Sequence, residues 1–379
     1  MAESPSLIAK RRRVEEGDGS GSGGARGLPE FHIVGDALMD VLAAGLARLP
    51  GWEEDAEAAS IKCHAGGSAL NTAVHLAGLL QVPKFGTVTF HGCIGSDGFA
   101  QLLRSRLQEQ GIEPHFVCCQ GSPTGSCVVL SGGEGKSERA FVTCAGASGL
   151  LAAEHLEGLR AAIRRGPRRV HVHFGGFYSY GPLRRQLPAV LSELRRIAET
   201  SGVGRLTTSV DPNATEVAQV DGLRDCLVEL DLIKGNLSEV QMLSGDEEDG
   251  KSQGIDMLRA LARDGHCAVV ATCGAKGARY CSTRGGAGVG EMVEGHVEAC
   301  PVDVVDCTGA GDASCAGLLA SWVLCDGALP EAVQLACVAG AANCTSLGGC
   351  SVAVTATAVH DVLQAYSRPI PASLVYLMG

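Results

Sequence analysis

The sequence predicts an α/β fold with a mostly parallel, doubly wound central sheet and a second, small sheet. After residue 150, strand-like apolar segments alternate with helical segments of 10–15 residues, which is typical of βαβ units. Short strand-like segments within about 36–64 and 114–143 do not alternate with helices, so they predict a small separate sheet. Glycine accounts for 52 of 379 residues, about twice the usual share, which indicates tight turns or close approaches of backbone to a ligand.

The hydrophobic pattern predicts the elements in chain order. Apolar runs bounded by turn residues predict strands at 32–34, 85–93, 114–119, 126–131, 139–144, 169–174, 207–210, 229–233 and 268–272. Apolar positions at helical spacing predict helices at 68–82, 99–110, 152–164, 182–200, 237–244, 253–263, 312–324, 330–345 and 357–366. Residues 1–28 are polar, Gly/Ser-rich and without periodicity, so we expect a disordered tail before one folded domain at 29–366 and a C-terminal tail at 367–379.

Composition excludes several classes of protein. The formal net charge of −11 argues against a general nucleic-acid binder. No apolar run reaches the roughly 18 residues that a membrane span needs, and the N-terminus lacks a hydrophobic signal core. We therefore expect a soluble cytoplasmic protein without nucleic-acid or membrane partners, either a monomer or a homodimer. The run Lys10–Arg13 fits a nuclear address or a solvated piece of the tail.

Cysteine and histidine do not predict a metal centre. The chain has 17 cysteines but no C-x-x-C pair, so we interpret them as reduced, mostly buried thiols rather than zinc ligands. His171 and His173 alternate on a predicted strand and would share one face. We interpret them as polar filling of a site wall, with a metal pair as the alternative.

Two glycine-rich motif matches lack the right context for phosphate binding. Residues 245–252 match G-x-x-x-x-G-K-[ST], but a helical segment precedes them and the loop carries four carboxylates. Residues 19–24 match G-x-G-x-x-G, but they lie in the expected tail and follow no strand. We interpret both as polar, non-functional segments.

One turn near the C-terminus combines an anion site with a base. An apolar strand end leads into Gly309-Ala310-Gly311, and Asp312 then opens an apolar helix. The first amides of a helix have no internal partner, and the helix dipole places partial positive charge there. Bare glycine backbone lets those amides approach an oxyanion, while Asp312 can take a proton from a hydroxyl. The alternative is an Asp that only caps the helix.

The segment Asp306-Cys307-Thr308-Gly309-Ala310-Gly311-Asp312 resembles the C-terminal signature of the ribokinase-like (PfkB) sugar-kinase family. The other marks of that family follow in order over roughly residues 31–366: Gly35-Asp36 with Asp40, Gly66-Gly67-Ser68-Ala69-Leu70-Asn71, Gly95-Ser96-Asp97, Pro123-Thr124-Gly125, Arg139 before Gly146-Ala147, Asp211-Pro212-Asn213, Asn236-Leu237-Ser238-Glu239, and Thr272-Cys273-Gly274-Ala275-Lys276-Gly277.

The resemblance implies a ribokinase-like three-layer α/β/α core with a small β-sheet lid. It implies ATP-dependent phosphorylation of a primary hydroxyl on a sugar or sugar derivative, with Asp312 as general base and the amides of Gly309, Ala310 and Gly311 as the anion hole. On the acceptor side it implies a set of hydroxyl-binding side chains and bare backbone: Asp36, Asp40, Gly66, Gly67 and Asn71. Asp36 has an alternative interpretation as a turn residue.

The same resemblance implies a nucleotide and metal side. The ATP contacts would come from Asn213, Asn236, Thr272, Gly274, Gly277 and Asn343. Glu239 would hold Mg²⁺ through water, although Asn236 and Glu239 also fit a helix N-cap with its capping partner. Asn343 would border the adenine or be a surface residue. A monovalent cation, K⁺, would lie among Asp306, Thr308 and Ser351.

The chain departs from the family pattern at two points. Ala214-Thr215 follow Asp211-Pro212-Asn213 where many members have an arginine, so a positive contact to phosphate is missing there. A segment beginning at His173 stands where several ribokinases have a glutamate, which weakens a ribose assignment. Its aromatic residues, Phe177, Tyr178 and Tyr180, would suit a nucleoside. The hypotheses are therefore a sugar kinase, an adenosine-like nucleoside kinase, and a non-catalytic binding or regulatory protein.

Overall fold

The computed structural model describes residues 27–132, 138–166, 168–213, 223–244, 255–283 and 292–379. The basic run Lys10–Arg13, both glycine-rich motif matches and nearly all of the expected N-terminal tail lie outside these residues.

Thirteen strands are found in the described part of the chain: β1 (Glu30–Gly35), β2 (Leu38–Leu46), β3 (Ser60–Gly66), β4 (Thr87–Ile94), β5 (Glu113–Cys118), β6 (Gly125–Gly132), β7 (Glu138–Cys144), β8 (Arg169–Gly175), β9 (Arg205–Asp211), β10 (Leu232–Asn236), β11 (Ala268–Thr272), β12 (Ala278–Ser282) and β13 (Val293–Val297). Nine of these form one sheet in the order β13-β12-β11-β10-β9-β8-β1-β4-β5. The neighbours from β11 through β5 pair in parallel, and β12 and β13 add an antiparallel edge.

The same residues contain ten α-helices: α1 (Ser68–Leu80), α2 (Gly98–Glu109), α3 (Glu157–Arg164), α4 (Pro182–Ser201), α5 (Leu237–Ser244), α6 (Ile255–Gly265), α7 (Ala310–Leu324), α8 (Leu329–Asn343), α9 (Ala356–Ala365) and α10 (Ala372–Met378). One buried cluster joins α1, α2 and α7–α10 to one face of the large sheet, and a second joins α3–α6 to the other face. Strands flanked on both faces by helices are the expected outcome of alternating βαβ units. The predicted α/β/α core is confirmed.

The small sheet, in the order β3-β2-β6-β7, is the predicted lid, and we call it the lid sheet. One prediction about it is wrong. The strand expected at 114–119 is β5, which pairs in parallel with β4 of the large sheet. Helix α2 lies between β4 and β5 in the chain and makes the crossover that a parallel pair requires. The alternation of strands and helices therefore begins well before residue 150.

Three elements were not expected from the sequence. The antiparallel edge strands β12 and β13 are short, with five residues each. Helix α10 lies in the segment expected as a C-terminal tail, and its Leu374 and Leu377 are fully buried in the core. No helix among the described residues is long and apolar enough to cross a bilayer.

The register of the large sheet brings the strand ends together. Gly35, Gly175 and Asp211 form one row at the carboxyl ends of β1, β8 and β9. Asn236 and Thr272 are neighbours at the ends of β10 and β11. In parallel α/β sheets, ligands bind in the crevice outside these ends.

Candidate active site

Asp312 lies in the first turn of α7, and its carboxylate is held by α1. Its Oδ1 accepts a 2.8 Å hydrogen bond from Ser68 Oγ, and its Oδ2 accepts one of 2.8 Å from Asn71 Nδ2. Burial raises the pKa of the Asp312 carboxyl to about 7, although these two donors oppose the shift. A carboxylate with such a pKa can accept a proton near neutral pH.

The turn Gly309-Ala310-Gly311, here called the anion turn, begins helix α7. Gly309 has φ +75° and a Cβ at this position would clash with the carbonyl oxygen of Gly349, so only glycine fits. A Cβ on Gly311 would lie in contact, at 3.5 Å, with Lys234 Nζ. The turn therefore presents bare helix-start backbone beside an ammonium group, an arrangement suited to an anion.

Lys234 is a site residue that the sequence analysis missed. It lies on β10 with only 5% of its surface exposed, and Nζ donates a 2.6 Å hydrogen bond to Asp211 Oδ2. Burial alone would lower the pKa of Lys234, but the Asp211 carboxylate raises it above its ordinary value. One feature of the sequence could have revealed Lys234. It stands two residues before Asn236 on the same strand, and alternate residues of a strand share a face, so it lies on the same face as a predicted site residue. It supplies positive charge beside Gly311 of the anion turn.

The acceptor-side residues gather between α1 and the lid sheet. Asp40 lies on β2, opposite His64 on β3 and Cys127 on β6. A Cβ on Gly66 would clash with the Asp40 carboxylate, so the absence of a side chain there makes room for it. Burial, reinforced by the charge of Asp36, raises the pKa of Asp40 to about 7.

Asp36 caps helix α1. Its Oδ2 accepts from the Ser68 amide at 3.1 Å and its Oδ1 from the Ala69 amide at 2.9 Å. Gly67, with φ +97°, precedes the helix, and a Cβ there would come 2.9 Å from the Asp36 carbonyl oxygen. Burial raises the pKa of Asp36 to about 6. This carboxylate therefore acts on the site by fixing the start of α1, a long-range role rather than that of a turn residue.

Asn236 and Glu239 form a reciprocal capping box at the start of α5. The Asn236 amide donates to Glu239 Oε2 at 2.6 Å, and the Glu239 amide donates to Asn236 Oδ1 at 2.9 Å. No group of three or more His, Cys, Asp or Glu side chains within the described ranges is arranged to hold a metal. A single carboxylate still fits Mg²⁺, which usually keeps several waters and takes its other ligands from substrate phosphates.

The nucleotide-side residues line the ends of β9 to β11. Thr272 Oγ1 donates to the Gly235 carbonyl at 3.3 Å. Gly274 has φ +56°, and the space where its Cβ would lie is open, so its backbone is accessible to a ligand. Gly277 has φ +86°, and a Cβ there would clash with the Val297 carbonyl oxygen. Asn213 is exposed, with φ +49°, and its amide donates to Asp211 Oδ1 at 3.3 Å. The exposed backbone at Asn213 and Gly274 fits phosphate groups.

The expected monovalent-cation residues lie on the segment before the anion turn and on the loop after α8. Asp306 accepts from the amides of Thr308 and Gly348, each at 2.8 Å. Ser351 Oγ lies beside Gly348, where it would contact a Cβ at that position, and 3.2 Å from His64 Nδ1, while the Ser351 carbonyl accepts from Arg106 Nη2 at 3.1 Å. Asp306 and Thr308 therefore fit an oxygen-lined cation site, and the role of Ser351 in it stays a prediction.

Asn343 is buried rather than on the surface, with 1% exposed. Its Nδ2 donates to the Thr308 carbonyl at 2.7 Å. It thereby ties the end of α8 to the segment that leads into the anion turn.

Two further groups of residues lie in the core. His171 donates to or accepts from Thr207 Oγ1 and Ser209 Oγ, both at 2.9 Å, and burial lowers the pKa of His171 and His173 to about 3. Both rings thus stay neutral as polar filling. Phe177 and Tyr180 are also buried, so they are not free to stack on a nucleoside, whereas Tyr178 is partly exposed.

Comparison with known proteins agrees with this geometry. A sequence model described as pfkB family carbohydrate kinase matches residues 30–356. A fructokinase from Klebsiella pneumoniae is 29% identical, over 88% of this chain and 97% of its own. Adenosine kinase 1 from Arabidopsis thaliana is 24% identical, over 80% of this chain and 84% of its own. The ribokinase structure from Giardia lamblia superposes with a TM-score of 0.71 and 21% identity, over 90% of this chain and 100% of that chain. The fold is ribokinase-like, and the chain belongs to the pfkB family of carbohydrate kinases.

Proposed function

We propose that this chain transfers the γ-phosphoryl group of ATP to a primary hydroxyl of a sugar or sugar derivative. The observation that carries the proposal is the placement of Asp312 beside the anion turn, with its carboxylate oriented by Ser68 and Asn71. Asp312 takes the proton of the acceptor hydroxyl, and the hydroxyl oxygen attacks the γ-phosphorus while the bond from that phosphorus to the β,γ-bridging oxygen breaks and ADP leaves. The amides of the anion turn and the Lys234 ammonium stabilise the charge on the transferring group.

The acceptor lies between α1 and the lid sheet. Within the described residues, the buried Oδ1 of Asn71 has no hydrogen-bond partner, so it is available to accept from an acceptor hydroxyl. Asp40 provides a second polar contact, and the bare backbone of Gly66 and Gly67 lets the ring approach closely. Asp36 contributes through its cap on α1. This arrangement suits a ligand with several hydroxyl groups.

The nucleotide phosphates lie along Asn213, Asn236, Thr272, Gly274 and Gly277. Glu239 would hold Mg²⁺ through water, and the ion would supply charge neutralisation at the phosphates. The five phosphate-side residues orient the triphosphate toward the anion turn. Asn343 supports Thr308 through its Nδ2, while its buried Oδ1 has no partner among the described residues and is available to accept from the adenine. Asp306 and Thr308 would hold a K⁺ ion, but no step depends on it.

A nucleoside kinase is the second candidate, and one residue favours it. Phe141 on β7 is 58% exposed and lies two residues before Thr143, which is opposite Cys127 on β6. Because alternate residues share a face, Phe141 lies on the same face of the lid sheet as Asp40. An exposed aromatic ring there could stack on a base. The adenosine kinase among the relatives agrees with this candidate.

The test is ADP formation by the full chain with Mg²⁺, K⁺ and a panel of hexoses, pentoses and nucleosides. The proposal predicts ADP formation that depends on a sugar and yields a sugar phosphate ester at a primary carbon. Turnover with nucleosides alone would establish the second candidate. The absence of turnover with every member of the panel would contradict both and favour a non-catalytic binding protein.

A further inference from the structure

Helix α1 carries a stripe of buried polar residues at helical spacing. Ser68, Asn71, Thr72 and His75 stand at positions i, i+3, i+4 and i+7, so they share one face. The first two bind the Asp312 carboxylate, and Thr72 Oγ1 donates to the Asp312 carbonyl at 3.4 Å. The fourth, His75, reaches a different segment. One helix therefore binds both Asp312, the proposed base, and a second segment of the chain, and so fixes the distance between them.

That second structure is the segment 348–354, here called the support loop, which connects α8 to α9. His75 is fully buried and its Nδ1 accepts a 3.1 Å hydrogen bond from the Val354 amide. Its Nε2 therefore carries the proton and donates to the Gly349 carbonyl at 2.8 Å. One imidazole ring thus fixes the support loop at two points, five residues apart.

The support loop packs directly behind the anion turn. The Gly349 carbonyl oxygen occupies the space where a Cβ of Gly309 would lie, which fixes the distance between the two backbones. The Gly348 amide donates to Asp306 Oδ2 at 2.8 Å, at the start of the segment that leads into the turn. A shift of the support loop therefore shifts the amides that face the transferring phosphoryl group.

A second side chain holds the support loop from the other side. Arg106 on α2 donates through Nη2 to the Cys350 carbonyl at 2.6 Å and to the Ser351 carbonyl at 3.1 Å. The carbonyls of three successive residues, Gly349 to Ser351, are thus fixed by His75 and Arg106. Neither residue lies among those that contact ATP or the acceptor in the proposed function.

We infer that His75 is a positioning residue for phosphoryl transfer, acting by holding the support loop against the anion turn, with Arg106 completing the hold. This inference rests on the proposed function. Misplacing a reacting group by about 1 Å can cost about 10²-fold in rate, whereas binding of substrates that do not touch the loop is little affected. The expected effect is therefore on kcat rather than on KM.

The two hydrogen bonds of His75 can be separated by substitution. His75→Gln can keep the hydrogen bond donated to the Gly349 carbonyl. His75→Asn can keep only the hydrogen bond accepted from the Val354 amide. We expect His75→Asn to lower kcat by about 10–100-fold with KM for the acceptor and ATP within about threefold of wild type, and His75→Gln to restore most of the rate. His171→Asn is the matched control, a fully buried histidine with two hydroxyl partners away from the site, and should lower thermal stability without this selective loss of kcat.

Arg106→Met covers the case in which His75 variants fail to fold, because Arg106 is partly exposed. We expect about a fivefold to tenfold lower kcat, whereas Arg104→Met, on the same helix but directed at the Phe116 carbonyl, should retain the wild-type rate. Equal rates for all these variants and wild type would overturn the inference.

Hydrogen exchange provides a readout that does not depend on activity. Exchange of the amides at 348–354 should be at least about tenfold faster in His75→Asn, or in Arg106→Met, than in wild type. Unchanged exchange would also overturn the inference. If wild type phosphorylates no acceptor, the proposed function fails, while the exchange result still decides whether His75 holds the loop.

Discussion

The side-chain amide of Asn71 donates a 2.8 Å hydrogen bond to the carboxylate of Asp312, which lies 241 positions later in the chain. This bond joins the start of α1 to the start of α7, the two helices that meet at the acceptor and the anion turn. Because α1 also carries the Ser68 donor, both carboxylate oxygens of Asp312 are oriented by the same helix. The chemistry of the site thus depends on how two helix N-termini face each other.

The pH profile should report the pKa of Asp312. A general base acts when deprotonated, so kcat/KM should rise with pH through the raised pKa of about 7. Ser68→Ala removes a donor that favours the charged carboxylate, so the acidic limb should move to higher pH, by about one unit for a charge-assisted bond. The measurement is kcat/KM from about pH 5 to pH 9.

Ser321→Ala is the control for that shift, because Ser321 is a fully buried serine on α7 that does not contact Asp312. Its acidic limb should coincide with that of wild type. A limb that stays in place in Ser68→Ala, or moves to lower pH, would contradict the assignment of this pKa.

Lys234 should be required for both rate and stability. Lys234→Met removes the ammonium beside the anion turn, so kcat should fall by at least about 10²-fold. It also leaves the buried Asp211 carboxylate unpaired, which should lower the free energy of unfolding by about 3–5 kcal/mol. Rates and chemical denaturation measure the two effects on the same protein.

The double variant Lys234→Met with Asp211→Asn separates these two effects. Removing the unpaired charge should recover part of the lost stability, while kcat should stay low because the ammonium is still absent. Recovery of kcat together with stability would mean that Lys234 has only a structural role.

The two glycines of the anion turn should respond differently to alanine. Gly309→Ala combines a positive φ with a clash against Gly349, so it should lower stability by at least about 1–3 kcal/mol as well as lowering the rate. A Cβ on Gly311 meets Lys234 Nζ at an ordinary contact distance of 3.5 Å, so Gly311→Ala should fold normally and lose rate. Thermal unfolding and initial rates measure both; equal loss of stability in the two variants would contradict this geometry of the turn.

The sequence was informative wherever the determinant is local. The alternation of apolar strands and helices predicted the core, and Gly309 to Asp312 predicted an anion site with a base because a helix start and its first acidic residue are adjacent in the chain. The roles of Asn236 and Glu239 could not be decided from the sequence, because a separation of three residues fits both a capping box and a water-mediated metal contact.

Long-range partners could not be predicted in this way. Lys234 resembles any strand lysine until the sheet places it beside Asp211 and Gly311. His75 resembles a core residue of α1 until the support loop is in place. Strand β5 was misassigned to the lid because a short strand does not reveal which neighbour it pairs with.

The most direct test of Asp312 as the general base is the kcat of the Asp312→Asn variant, measured with the acceptor found among the sugars and nucleosides. The substitution preserves shape and removes the base, so kcat at saturating ATP and acceptor should fall by at least about 10²-fold while thermal unfolding stays close to that of wild type. A kcat within a fewfold of wild type in a folded Asp312→Asn protein would contradict the proposal that this carboxylate takes the acceptor proton.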